Sequence, residues 1–118
     1  MPAPLYQAKA EFLRMLGHPV RIRVLELLQG GPKPVRDLLA EIDIEPSSLS
    51  QQLAIPRRSD IVTATRHGTT VVDALADGDV AKLIRAARRI LTEMRAGQNQ
   101  LMAELRESHI PSRPDASP

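Results

Sequence analysis

The spacing of apolar residues in this chain changes twice, and those changes restrict its fold more than any other feature. From Leu5 to Arg58 apolar positions recur three or four residues apart, the repeat that gives a helix one buried face. After Arg58 the pattern turns extended. Ile61-Val62-Thr63-Ala64-Thr65 and Thr69-Thr70-Val71-Val72-Asp73-Ala74-Leu75 are rich in β-branched residues and flank Arg66-His67-Gly68. Two such runs around a glycine predict a two-stranded hairpin with a basic tip. The helical repeat then returns with Val80, Leu83, Ile84, Ala87, Leu91, Met94, Leu101 and Leu105. The expected class is mainly α with a small β-hairpin.

Glycine and proline divide the first helical stretch. Leu5, Phe12, Leu13 and Leu16 mark a helix that Gly17 ends, and Pro19 suits the first turn of the next, with His18 as its cap. Val20, Ile22, Val24, Leu25, Leu27 and Leu28 form that second helix, which Gly30-Gly31-Pro32 stops. A short third helix is expected from about Pro34 to Ile42, burying Val35, Leu38, Leu39 and Ile42. After the turn Asp43-Ile44-Glu45-Pro46, Ser47 is expected to cap a fourth helix that buries Leu49, Leu53 and Ile55. Asp79 is expected to cap the last helix, which runs to about Glu107 with Gly97 as its weak point. Residues 1–4 read as a loose start, 5–108 as one domain, and 109–118, with three prolines and little to bury, as a disordered tail.

With one Phe, one Tyr and no Trp, the core has to be aliphatic, which suits packed helices. Cysteine is absent, so disulfides, thiolate metal sites and thiol redox sensing are excluded together. No leader is visible in Met1-Pro2-Ala3-Pro4 and no apolar run reaches membrane-spanning length, so a cytoplasmic chain without a membrane partner is expected. Catalysis finds no support, since there is no glycine-rich phosphate loop and no nucleophile–base arrangement; no catalytic residue is assigned.

The segment with the most chemistry is Pro46-Ser47-Ser48-Leu49-Ser50-Gln51-Gln52-Leu53, followed by Arg57-Arg58, with no acidic residue between Pro46 and Ser59. Ser47, Ser48, Ser50, Gln51 and Gln52 are side chains that reach base edges in a major groove, and Arg57 and Arg58 are suited to phosphate. Arg66 and His67 at the hairpin tip would meet the backbone or the minor groove. Taken singly, these are ordinary solvated side chains. A polar helix beside a basic hairpin points to double-stranded operator DNA.

The order helix, helix, short helix, turn, polar helix, hairpin, long helix is that of a winged helix-turn-helix with N- and C-terminal dimerisation helices. Leu16-Gly17-His18-Pro19-Val20-Arg21-Ile22-Arg23-Val24-Leu25, Ser47-Ser48-Leu49-Ser50-Gln51-Gln52-Leu53 and Arg57-Arg58-Ser59 resemble the ArsR/SmtB family of small dimeric bacterial repressors. The resemblance covers about residues 5 to 95. It implies a homodimer that binds a near-palindromic operator, blocks transcription and is released by a ligand. Phe12, Leu13, Leu16, Leu83, Ala87, Leu91 and Met94 exceed what a small core needs and are the expected dimer surface.

The family's metal motifs are poorly kept. The cysteine motif would fall near Pro34-Val35-Arg36-Asp37-Leu38, which has no thiol, and the last-helix site falls on Asp77, Asp79, Ile90 and Glu93. Three carboxylates without imidazole or thiolate are a weak set for zinc, nickel or cobalt. No cofactor is therefore assigned, and sensing is left to another ligand or a co-regulator protein. The alternatives are a direct metal-responsive repressor using Asp77, Asp79 and Glu93, or a protein-interaction module that has lost operator binding. Pro56, Asp60 and Asp73 depart from the family pattern and favour the second alternative. Pro56 in particular requires the fourth helix to end or kink near Ile55.

Overall fold

The computed structural model describes residues 3–109; the first two residues of the expected loose start and the tail from residue 110 lie outside them. The elements are α1 (Leu5–Leu16), α2 (Pro19–Leu28), β1 (Lys33–Pro34), α3 (Val35–Glu41), α4 (Pro46–Arg58), β2 (Val62–His67), β3 (Thr70–Leu75) and α5 (Gly78–His109). The fold is mainly helical with one antiparallel sheet in the order β1-β3-β2. Gly17 closes α1, and Nδ1 of His18 accepts a hydrogen bond from the Val20 N–H at 3.2 Å, with Pro19 opening α2.

The sheet has three strands where two were expected. Lys33 pairs with Asp73 and Pro34 with Val72, so a two-residue strand lies along β3. Two residues are too few to leave a readable period, and a proline without an N–H is tolerated on such an edge. The first hairpin strand runs two residues further toward the tip than expected and the second begins one residue later, with Arg66 and His67 paired to Val71 and Thr70 and Gly68-Thr69 left as the turn. Gly68 has φ +65°, a left-handed conformation that glycine adopts without cost.

Three points in the helices differ from expectation. Pro46 rather than a serine cap opens α4, because its fixed φ suits the first helical position and its missing N–H is an orphan there anyway. Ser47 therefore lies inside the helix. Asp77 rather than Asp79 caps α5, its Oδ1 accepting from the Asp79 N–H. Gly97 does not divide α5, which continues unbroken for 32 residues. Glycine costs a helix roughly 1 kcal/mol relative to alanine, too little to break it.

Val24, Leu25 and Leu28 of α2 meet Leu38, Ile42, Leu49, Leu53, Ile61, Val62 and Ile84 in one buried cluster. Leu16, expected at a dimer surface, is only 4% exposed and belongs to this core. α4 packs on α2 and β2, while α3 packs on β1 and β3. α4 is thus held from behind by a helix and a strand.

Pro56 does not end α4, which runs on to Arg58. Its ring is fully buried and follows Leu49 and Leu53 at positions i, i+4 and i+7, so it fills the core stripe that Ile55 was expected to share. Although Pro56 supplies no N–H to Gln52, the turn is rebuilt just behind it. The Ile61 N–H donates to the Pro56 carbonyl at 3.0 Å and the Asp60 N–H to the Arg57 carbonyl at 3.2 Å. These two bonds form a Schellman motif, and both Pro56 and Ile61 are buried. The motif needs a left-handed residue at Asp60, which has φ +60°.

The chain divides into two compact units, residues 1–84 and 85–118. All the packing just described lies in the first. The described part of the second is the helical stretch of α5 that exposes Ile90, Leu91, Met94, Leu101, Met102 and Leu105.

Candidate nucleic-acid interface

Because Leu49, Leu53 and Pro56 turn one side of α4 into the core, the opposite side has to face solvent. Ser47, Ser48, Ser50 and Gln51 are exposed there, while Gln52 flanks the buried stripe and is half-buried. No acidic side chain occupies the first turn, and Arg57 and Arg58 close the helix. A surface of hydroxyls and amides with guanidinium groups behind it can donate to and accept from base edges and phosphates.

The two arginines have different roles. Arg58 is exposed, its Nε 3.5 Å from the Ala54 carbonyl. Arg57, expected on phosphate, instead gives Nε to Asp73 Oδ1 at 2.9 Å and Nη2 to Oδ2 at 2.8 Å. Asp73 is fully buried and the Arg57 side chain only 30% exposed. The bidentate pair fastens the end of α4 to the central strand of the wing. Asp73, one of the departures from the family pattern, is the anchor of that tie.

The wing presents Arg66 and His67 on exposed β2 positions. Arg36 joins them in a way the sequence did not suggest. From the first turn of α3 its Nη1 lies 3.5 Å from the Thr70 hydroxyl, and the side chain remains exposed. Its neighbour Asp37 gives that position no conspicuous charge run, and only the packing of α3 on β1 and β3 brings it to the wing. Arg21 was also missed, as one basic residue in a dense apolar helix. Its Nε donates to Gln52 Oε1 at 3.1 Å and its Nη1 to the Met15 carbonyl at 2.8 Å.

The acidic candidates lie just before α5 and along it. Asp77 is engaged as the α5 cap, and Asp79 faces solvent with Lys82 Nζ 3.8 Å away. Ile90 and Glu93 are both exposed. Among the described residues no three histidine or carboxylate side chains converge as metal ligands. Among them, too, no helix is long and apolar enough to cross a membrane.

The family described as "Bacterial regulatory protein, arsR family" matches residues 18–64, the stretch from the His18 cap through the helix-turn-helix into β2. The HTH-type transcriptional regulator Rv0081 of Mycobacterium tuberculosis (strain ATCC 25618 / H37Rv) is 40% identical over 104 residues, 87% of this chain and 91% of the relative. Its crystal structure superposes with a TM-score of 0.75 at 41% identity, covering 82% of this chain and 98% of the other. The transcriptional repressor BigR from Xylella fastidiosa gives a TM-score of 0.67 at 33% identity, covering 72% of this chain and 87% of that one. The family and these relatives are transcriptional regulators, not enzymes. The chain belongs to the ArsR family of winged helix-turn-helix transcriptional regulators.

Proposed function

We propose that this chain is a cytoplasmic homodimeric repressor that sets two recognition helices and two wings on a near-palindromic operator. The observation that carries the reading is the acid-free polar face of α4, which the core orients toward solvent beside the basic wing. Ser47, Ser48, Ser50, Gln51 and Gln52 read bases; Arg58, Arg66 and His67 hold the backbone; Arg57 ties helix to wing. The three residues that favoured a protein-interaction module serve the fold and leave the DNA-facing surface intact. Pro56 fills the core, Asp60 takes the left-handed position of the helix stop, and Asp73 pairs with Arg57.

Titration of operator DNA tests the reading. Gln51→Ala is expected to cost about 1–3 kcal/mol and to relax preference at one base-pair position in each half-site. Arg58→Ala is expected to weaken all sequences alike and to lower the salt slope by about 1 for each half-site, about 2 for the dimer. If binding is insensitive to salt, or competitor DNA abolishes it, the chain is an interaction module instead.

Metal sensing through the last helix is not part of this proposal. Asp77 is committed to capping, and Asp79 and Glu93 add only oxygen donors, beside an isoleucine. In calorimetric titration nickel and zinc are expected to bind at micromolar affinity or weaker, unchanged by Asp79→Ala. Submicromolar binding lost in that variant would restore a direct metal sensor using Asp77, Asp79 and Glu93. Otherwise the release signal comes from another ligand or a co-regulator protein.

A further inference from the structure

Arg21 lies behind the recognition helix, yet its contacts determine what one side chain of that helix can offer to DNA. The Arg21 guanidinium has only donors, so the group of Gln52 lying 3.1 Å from Arg21 Nε has to be the amide oxygen. The second bond, from Nη1 to the Met15 carbonyl at the end of α1, fixes the guanidinium plane. Gln52 is half-buried, which limits its freedom to turn away. Its oxygen is therefore held inward, which leaves the Nε2 amino group as the end that can be offered to a base.

This matters because a free glutamine commonly recognises adenine with both ends of its amide, the oxygen accepting from N6 and the nitrogen donating to N7. A glutamine that has only its NH2 to offer loses that pairing. It matches a base edge made of acceptors, and guanine presents two, O6 and N7. We infer that Arg21 is a specificity-positioning residue that, by holding the Gln52 oxygen, makes Gln52 read guanine rather than adenine. The inference rests on the DNA-binding reading above.

The test is selection from a randomised operator pool with the full chain and with Arg21→Leu, Gln52→Ala and the double variant. The wild-type chain is expected to select guanine at one position per half-site, and Gln52→Ala to abolish that preference, roughly 5- to 100-fold. Arg21→Leu frees the amide and should move the same position to adenine while leaving the others unchanged. The double variant should match Gln52→Ala. Should Arg21→Leu fail to fold, 7-deazaguanine at that position in DNA bound by the wild-type chain decides: losing N7 should lower affinity severalfold. Adenine selected by the wild-type chain, an unchanged preference in a folded Arg21→Leu, or indifference to 7-deazaguanine overturns the inference alone. A wild-type chain that selects no sequence overturns the DNA reading with it.

Discussion

Replacing Arg57 with alanine is expected to lower the unfolding free energy by about 3–5 kcal/mol, because it leaves the fully buried Asp73 carboxylate without its partner. Domains of this size are stable by only about 5–15 kcal/mol, so the loss is a large fraction of the whole. Asp73→Ala should cost less, about 1–3 kcal/mol, since the partly exposed Arg57 guanidinium can turn to water when its acceptor is gone. The double change Arg57→Met with Asp73→Leu should recover most of the stability, as apolar side chains can replace a buried pair without leaving a charge behind. Urea unfolding of the four proteins reads all three expectations. Equal costs for the two single variants would mean that the pair is not buried in solution. The consequence for DNA is also distinct from that of Arg58: Arg57→Ala should leave the salt slope nearly unchanged, because Asp73 already neutralises that guanidinium.

What the sequence showed and what it hid follow from the range of the interactions involved. The helices were legible because Leu49, Leu53, Val24, Leu25 and Leu28 repeat at the period of one buried face. The wing was legible because β-branched residues flank a glycine. β1 was not, as two residues next to a proline become a strand only through Val72 and Asp73, some forty positions later. The reading face of α4 was visible as composition, but the separate roles of Arg57 and Arg58 were not. Adjacent arginines on a helix point about 100° apart, and only the position of Asp73 decides which of them is drawn inward. Gln51 and Gln52 divide in the same way, one exposed and one held by Arg21. Sequence patterns register local periodicity, whereas these pairings depend on contacts between distant elements.

The three unusual residues near the wing each break a local rule, since Pro56 lies in a helix, Asp60 has a positive φ and Asp73 is a buried charge. Taken together they build one junction. Pro56 supplies the carbonyl that Ile61 caps, Asp60 makes the turn, and Asp73 holds the arginine one residue beyond Pro56. The junction joins the end of α4 to the central strand of the wing, the two elements that the proposed reading sets on one DNA site.

The largest effect on DNA binding is expected from α5, which carries none of the residues proposed to meet DNA. Leu91 and Met94 are 53% and 55% exposed, one helical turn apart on α5. Burying the rest of each side chain is worth about 1 kcal/mol at 25 cal/mol per Å², and a twofold interface counts each residue twice. Replacing both with glutamate removes about 4 kcal/mol of that burial and adds four carboxylates to an apolar contact, enough to raise the dimer dissociation constant by at least about a thousandfold. Both positions face solvent in the single chain, so the melting of the monomer fold should barely change. The monomer binds one half-site and forgoes the effective concentration that a linked second half-site provides, about 10²- to 10⁴-fold in affinity. Sedimentation equilibrium should therefore show a dimer for the natural chain and a monomer for Leu91→Glu with Met94→Glu. Titration should show the natural chain preferring a full operator to a half-site, while the variant binds both alike. A natural chain that is monomeric at micromolar concentration, or a variant that stays dimeric, would move the interface off this stretch of α5. Phe12 and Leu13 on α1, at 37% and 54% exposure, would then be the next surface to substitute.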